Sequence, residues 1–164
     1  MDGDSSETDP KYFMDRDMIL VTFNFRSGIF GFLSTGDEHI PGNMGLKDQS
    51  LVLKWVSENI ASFGGDPKRV TLAGCSSGAA SVQYHYLSPM SAGLFSNGIS
   101  FSGGVTSRRY FDNHPLRRAV QLAEAIDCPT NNTLDMIKCF ENHQPAYDFY
   151  SAYFKIWVNP YCYY

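Results

Sequence analysis

Apolar positions along the chain change their spacing from segment to segment. Met18-Ile19-Leu20-Val21-Thr22-Phe23-Asn24-Phe25 is almost continuously apolar and rich in β-branched residues. That pattern predicts a strand covered on both faces, as in a parallel sheet beneath helices. Turn formers then crowd residues 26–43, among them Ser27, Gly28, Gly31, Gly36, Asp37, Pro41, Gly42 and Asn43, and predict a long loop. Over 46–61 the spacing becomes helical: Leu46, Val52, Leu53, Trp55, Val56 and Ile60 recur, with Lys47, Asp48, Lys54 and Glu58 between them. Phe63-Gly64-Gly65-Asp66-Pro67 ends that helix.

A short apolar run at 70–74 predicts a second strand, and 77–87 a helix with Ala79, Ala80, Val82, Tyr84 and Leu87. Residues 99–101, closed by Ser102-Gly103-Gly104, predict a third strand. Alternation of strand and helix implies an α/β architecture with a parallel sheet. Beyond 104 the pattern predicts helices at 116–126 and 133–140 and no further strand. Residues 147–164 are rich in Tyr and Phe without a clear period.

Composition narrows the function classes. The 164 residues are 43% hydrophobic and 18% charged, the balance of a single globular domain rather than a disordered tail. The net charge is −4, and basic residues are scattered apart from pairs such as Arg108-Arg109 and Arg117-Arg118. A nucleic-acid partner is therefore not expected. No apolar run approaches the roughly 20 residues of a membrane-spanning helix. Neither Cys-x-x-Cys nor His-x-x-x-His spacing occurs among four Cys and four His, so no metal site is expected.

Gly74-Cys75-Ser76-Ser77-Gly78 fits the pattern G-x-S-x-G, and it lies between a predicted strand and a predicted helix. A nucleophile at the apex of a strand-to-helix turn needs that arrangement. Small residues at Gly74 and Gly78 would let the chain reverse tightly around Ser76. Ser77 would open the helix, where its backbone N–H favours developing negative charge. The five residues also fit a plainer reading, a turn in which Ser76 merely caps the helix.

The wider segment decides between them by resemblance. Residues 63–78, Phe63-Gly64-Gly65-Asp66-Pro67 through Gly74-Cys75-Ser76-Ser77-Gly78, resemble the serine-active-site signature of type-B carboxylesterases. These form the cholinesterase and carboxylesterase branch of the α/β-hydrolases. Asn24-Phe25-Arg26, Gly31-Phe32-Leu33, Pro41-Gly42-Asn43, Gly45-Leu46-Lys47-Asp48-Gln49, Gly93-Leu94-Phe95 and Ser102-Gly103 extend the likeness over about residues 17–104. Tyr84-His85-Tyr86-Leu87-Ser88-Pro89 resembles insect esterases of the venom-carboxylesterase and FE type.

The resemblance implies a partial α/β-hydrolase fold, a small-molecule carboxylic ester as substrate, and no cofactor. Ser76 would be the nucleophile of a Ser-Glu-His triad, with the Ser77 N–H as one oxyanion donor. It also implies that the family's His-Gly-Gly-Gly loop precedes residue 1 and that the acid and histidine follow residue 164. The chain is thus expected to be part of one esterase domain and inactive alone. His114 and His143 follow Ser76, near Asp112, Asp127 and Glu141, but too few strands intervene for a triad. His114 is expected in a loop before Pro115, His143 at a helix end, His85 within the helix after Ser76 and His39 in the long loop. Cys75 is expected to pack in the interior. A non-catalytic binding or adhesion protein on the same fold, or an inactive truncated product, is the alternative.

In that family a cysteine pair at the position of Cys128 and Cys139, 11 residues apart, resembles a disulfide loop. Asn131-Asn132-Thr133 is an N-glycosylation sequon in the same stretch. Together these favour secretion. Cys162 has no evident partner.

Overall fold

The computed structural model describes residues 10–107 and 110–158. Arg108-Arg109, Cys162 and the end of the aromatic tail lie outside the described residues. The chain divides into two compact units: Met1–Phe25 with Leu46–Asp112, and Arg26–Gly45 with Asn113–Tyr164.

The first unit is built on one strand–helix–strand motif. Helix α2 (Met44–Asn59; α1 is described below with the second unit) continues as a 3-10 turn, Ile60–Phe63. It turns one ridge inward, Gln49, Leu53, Val56 and Ile60, at the i, i+4, i+7, i+11 spacing of a helix face. Trp55, expected in that ridge, is exposed. Gly64 closes the turn in the left-handed region at φ 82°, which glycine adopts at no steric cost. Asp66 then caps a short 3-10 turn, Pro67–Arg69, accepting from the Lys68 backbone N–H at 2.9 Å. The Arg69 guanidinium donates to the same carboxylate at 2.9 Å. Those bonds, with the Arg69 charge, hold the Asp66 carboxyl below its usual range.

Strand β1 (Thr71–Cys75) follows, then helix α3 (Ser77–Leu87) and strand β2 (Asn97–Phe101). β1 and β2 pair in parallel, Thr71 opposite Asn97 and Cys75 opposite Phe101. α3 covers one face of this pair. It can approach closely because that face carries small residues: a Cβ on Gly98 would lie 2.7 Å from Val82 and 2.6 Å from the Tyr86 hydroxyl. The Ser100 hydroxyl donates to the Ala79 carbonyl at 3.0 Å, fastening sheet to helix. The opposite face is open, with Ile99 45% and Phe101 56% exposed.

That openness corrects one expectation. Residues 18–25 form no strand, and Met18, Ile19, Val21 and Phe25 are exposed. The β-branched run has strand propensity, but a strand exists only where a neighbour completes its ladder. Among the described residues the sheet has two strands rather than three.

In the second unit the expected loop 26–43 begins with a short helix, α1 (Gly28–Phe32). The loop then closes on buried Thr35, whose hydroxyl donates to Asp37 at 2.5 Å and accepts from the Ile40 N–H at 3.2 Å. Helices α4 (Pro115–Ala125), α5 (Thr133–Asn142) and α6 (Tyr147–Tyr153) complete the unit, α6 running into a π-helical turn, Phe154–Val158. α4 starts with Pro115 in its first turn and buries Ala119, Leu122 and Ala123. These pack with Ile29, Ile126, Cys128, Met136, Phe149, Ala152 and Ile156 in one cluster. α6 was not visible as a period because its outer face is also aromatic: Tyr147, Tyr150 and Phe154 are exposed while Phe149, Ala152 and Ile156 turn inward.

Candidate functional site

β1 runs directly into Ser76, and α3 runs directly out of it. Ser76 sits at φ 55°, ψ −115°. This lies away from the left-handed helical well that non-glycine residues occasionally occupy. Such a conformation costs on the order of 1–3 kcal/mol and persists only where the surroundings over-determine it. Here they do. The Ser76 N–H donates to the Phe101 carbonyl at 2.8 Å, which ties the turn to the end of β2. The Ser76 carbonyl accepts from the Ala80 N–H at 3.2 Å, which ties it to the first turn of α3. The Ser76 side chain makes no capping bond to the helix that it precedes. The plain capping role is therefore not the one the residue plays.

Gly74 and Gly78 do different jobs. A Cβ on Gly74 would fall 2.3 Å from the backbone C and O of Gly78, so strand end and helix start touch backbone to backbone. A Cβ on Gly78 would meet nothing within 4 Å among the described residues. The tightness expected from both glycines resides in Gly74. Ser77, half-buried, is the first residue of α3. Its carbonyl accepts from the Ser81 hydroxyl at 3.1 Å.

Cys75 is exposed, against the expectation of interior packing. Along β1 the residues alternate, and Thr71, Ala73 and Cys75 share the face that α3 does not cover. Parity in the strand, not the character of a thiol, places it there.

Gly103, read in the sequence only as the end of a strand and part of the family likeness, lies against the elbow. A Cβ on Gly103 would lie 2.1 Å from the Ser76 carbonyl oxygen and 3.0 Å from the Ala79 Cβ. Ser102, just before it, also has a positive φ of 54°. Gln83 of α3 holds the same segment: its Nε2 donates to the Gly103 carbonyl at 3.4 Å, and its Oε1 accepts from the Val105 N–H at 3.1 Å. Ser102-Gly103-Gly104 was legible as the end of a strand, but its closeness to Ser76 is a long-range contact.

The helix behind the candidate nucleophile is anchored by a buried polar chain. His85 is 2% exposed; its Nε2 lies 2.8 Å from Gln49 Oε1 and its Nδ1 2.8 Å from Ser91 Oγ. Ser91 Oγ is in turn 3.0 Å from Ser50 Oγ. An amide oxygen only accepts, so Nε2 carries the proton, Nδ1 accepts from Ser91, and Ser91 accepts from Ser50. Burial pushes the His85 imidazolium pKa down, so the neutral ring is the resident form. With both nitrogens engaged, His85 acts as a joint between α2, α3 and the Pro89–Ser91 turn.

His39, His114, His143, Cys128, Cys139 and Asn131 belong to the second unit. His114 is the residue before Pro115 and His143 follows the last residue of α5, both as expected. His143 Nε2 lies 2.9 Å from Asp148 Oδ2. His39 lies in the loop after α1. Cys128 and Cys139 are joined in a disulfide, closing the sequence separation of 11. Asn131 is exposed. Asn132 caps α5, its Oδ1 accepting from the Asp135 N–H at 2.8 Å, and Thr133 opens the helix.

The carboxylesterase family profile matches residues 1–163. The chain belongs to the carboxylesterase family. Over 141 residues it is 52% identical to venom carboxylesterase-6 of Apis mellifera, covering 86% of this chain and 25% of the relative. It is 51% identical over 144 residues to a carboxylic ester hydrolase of Bombus ignitus, covering 88% of this chain and 26% of that protein. Esterase FE4 of Myzus persicae is 42% identical over 153 residues, 92% of this chain and 27% of its own length. The chain thus spans about a quarter of the length of these curated relatives. No helix among the described residues is long and apolar enough to cross a membrane.

Proposed function

We propose that this chain carries the nucleophile of a carboxylic ester hydrolase, and that Ser76 is that nucleophile. The observation that carries the reading is the backbone of Ser76: a non-glycine residue at φ 55°, ψ −115°, clamped on both sides, with a hydroxyl not used in capping. Nothing in a plain strand-to-helix turn requires that strain. In this reading the segment is a middle portion of one α/β-hydrolase domain, and Gly74 to Gly78 form its nucleophile elbow. The oxyanion loop lies upstream, and the acid and histidine lie downstream.

The chemistry follows from the position. The Ser76 oxygen attacks the ester carbonyl while its proton passes to the histidine. The carbonyl oxygen becomes an oxyanion, and the Ser77 N–H at the start of α3 donates to it. Collapse of this adduct breaks the bond to the alcohol, which leaves with the proton from the histidine. Water then attacks the acyl-serine, giving up its proton to the histidine, and the acid departs as Ser76 is restored. The substrate class is a small carboxylic ester, as the names of the relatives support.

The disulfide and the exposed Asn131 support a secreted protein, with Asn131 as a glycan acceptor. The decisive test is hydrolysis of a short-chain aryl ester by the full-length gene product. Ser76→Ala is expected to lower kcat by at least about a thousandfold. An unchanged rate would overturn the assignment.

A further inference from the structure

From the contact of Gly103 with the Ser76 carbonyl, we infer that the turn after β2 is the buttress of the nucleophile, with Gly103 as a positioning residue held in place by Gln83. The inference rests on the esterase reading and deepens it.

Three observations converge on this turn. The first is distance: a Cβ on Gly103 would come within 2.1 Å of the Ser76 carbonyl oxygen, far inside any tolerable contact. That neighbour is backbone, so it cannot rotate away. Relief requires moving either the Ser76 peptide or the turn that carries Gly103, and each is tied to the other. The second is what that peptide already does. Its carbonyl accepts from the Ala80 N–H, and the Ser76 N–H donates to Phe101, two residues before Gly103. A shift of about an ångström would therefore disturb both clamps on the strained residue at once. The third is the fastening: the Gln83 amide bonds the Gly103 carbonyl and the Val105 N–H, so the turn is pinned to the same helix that begins at the nucleophile. The turn and the elbow thus brace each other, and neither position is set by the five residues of the elbow alone.

Gly103 touches neither substrate nor a reacting atom in this arrangement. Its effect on the reaction passes through the direction in which Ser76 presents its oxygen. Displacing a reacting group by about 1 Å costs on the order of 100-fold in rate. The signature of a positioning role is a fall in kcat with KM held, together with a matching fall in the rate at which Ser76 reacts with a small covalent probe.

The experiment uses the full-length gene product, an aryl ester for steady-state kinetics, and a fluorophosphonate for covalent labelling of Ser76. Gly103→Ala is expected to lower both kcat and the labelling rate by about 10- to 100-fold, with KM changed little. Labelling of Gly103→Ala at the unmodified rate would overturn the inference. If that variant fails to fold, Gln83→Leu, which releases the turn without adding a clash, decides. Slower labelling of Gln83→Leu upholds the buttress, and labelling at the unmodified rate overturns it. Ser76→Ala sets the background. If the unmodified protein itself is not labelled above that background, the nucleophile reading has failed, and the buttress falls with it. Labelling that is fast in the unmodified protein and equally fast in the variants removes the buttress alone.

Discussion

Replacing His85 by leucine removes one ring that serves two buried partners. Gln49 Oε1 loses its donor at 2.8 Å, and the Ser91 hydroxyl loses its acceptor at 2.8 Å. Both partners are buried, Gln49 at 4% and Ser91 at 1% exposure, so water does not readily replace the lost bonds. An orphaned buried polar group costs about 1–3 kcal/mol, which for two gives about 2–6 kcal/mol. Ser91 retains its contact with Ser50 and can reorient its proton, so the lower half of that range, about 2–4 kcal/mol, is expected. Total stabilities of roughly 5–15 kcal/mol make this a large loss. Urea unfolding at pH 7.5, followed by tryptophan fluorescence, measures it. A loss under about 1 kcal/mol would show that the chain of bonds is not structural.

The same ring makes a signed prediction for pH. Burial lowers the His85 pKa in the folded state, so below the unfolded value of about 6.5 the unfolded chain binds more protons than the folded one. The contribution of neutral His85 is fully present above that value. It is lost progressively as pH falls toward the folded pKa, with a slope of at most about 1.4 kcal/mol per pH unit. Subtracting the pH dependence of His85→Leu from that of the unmodified protein isolates this term. A difference that stays flat, or that grows toward acid pH, would refute the assignment of a buried neutral imidazole.

Two further outcomes follow from the site and its surroundings. Gly74→Ala is expected to destabilise by at least about 2 kcal/mol or to prevent folding, because its Cβ would strike the Gly78 backbone at 2.3 Å. Gly78→Ala, with open space at its Cβ and a better helix former in α3, is expected to be neutral or to gain up to about 1 kcal/mol, and equal effects of the two in thermal melts would contradict the steric account. Expressed through a secretory pathway, the chain is expected to run as a heavier species that an N-glycan endoglycosidase collapses and that Asn131→Gln abolishes. The absence of any such shift would remove Asn131 as an acceptor.

The candidate site was legible in proportion to how local its parts are. Gly74, Ser76 and Ser77 lie within four consecutive residues, and their placement between a strand and a helix is legible from spacing alone. The βαβ unit was readable for the same reason: the α3 helix occupies 77–87 as the pattern predicted, and β1 and β2 fall within two residues of theirs. The buried Gln49 and Ser50 were not readable, because the α2 period predicts apolar residues on that face and only the contact with His85 and Ser91 explains polar ones. The exposure of Cys75 is not legible in the sequence, because it depends on which face of the sheet is covered.

Local chain chemistry determined where α2 to α5 and both strands form, where the glycine-punctuated turns lie, and which serine stands between strand and helix. Those properties depend on propensity, periodicity and backbone sterics within a few residues. Tertiary structure alone decided that residues 18–25 form no ladder, that His85 is a buried joint, and that Gly103 presses on the Ser76 peptide. Each is a contact between segments distant in sequence. A strand needs a partner, a buried polar group needs an acceptor, and a close approach needs two backbones, so no single stretch of sequence contains the information.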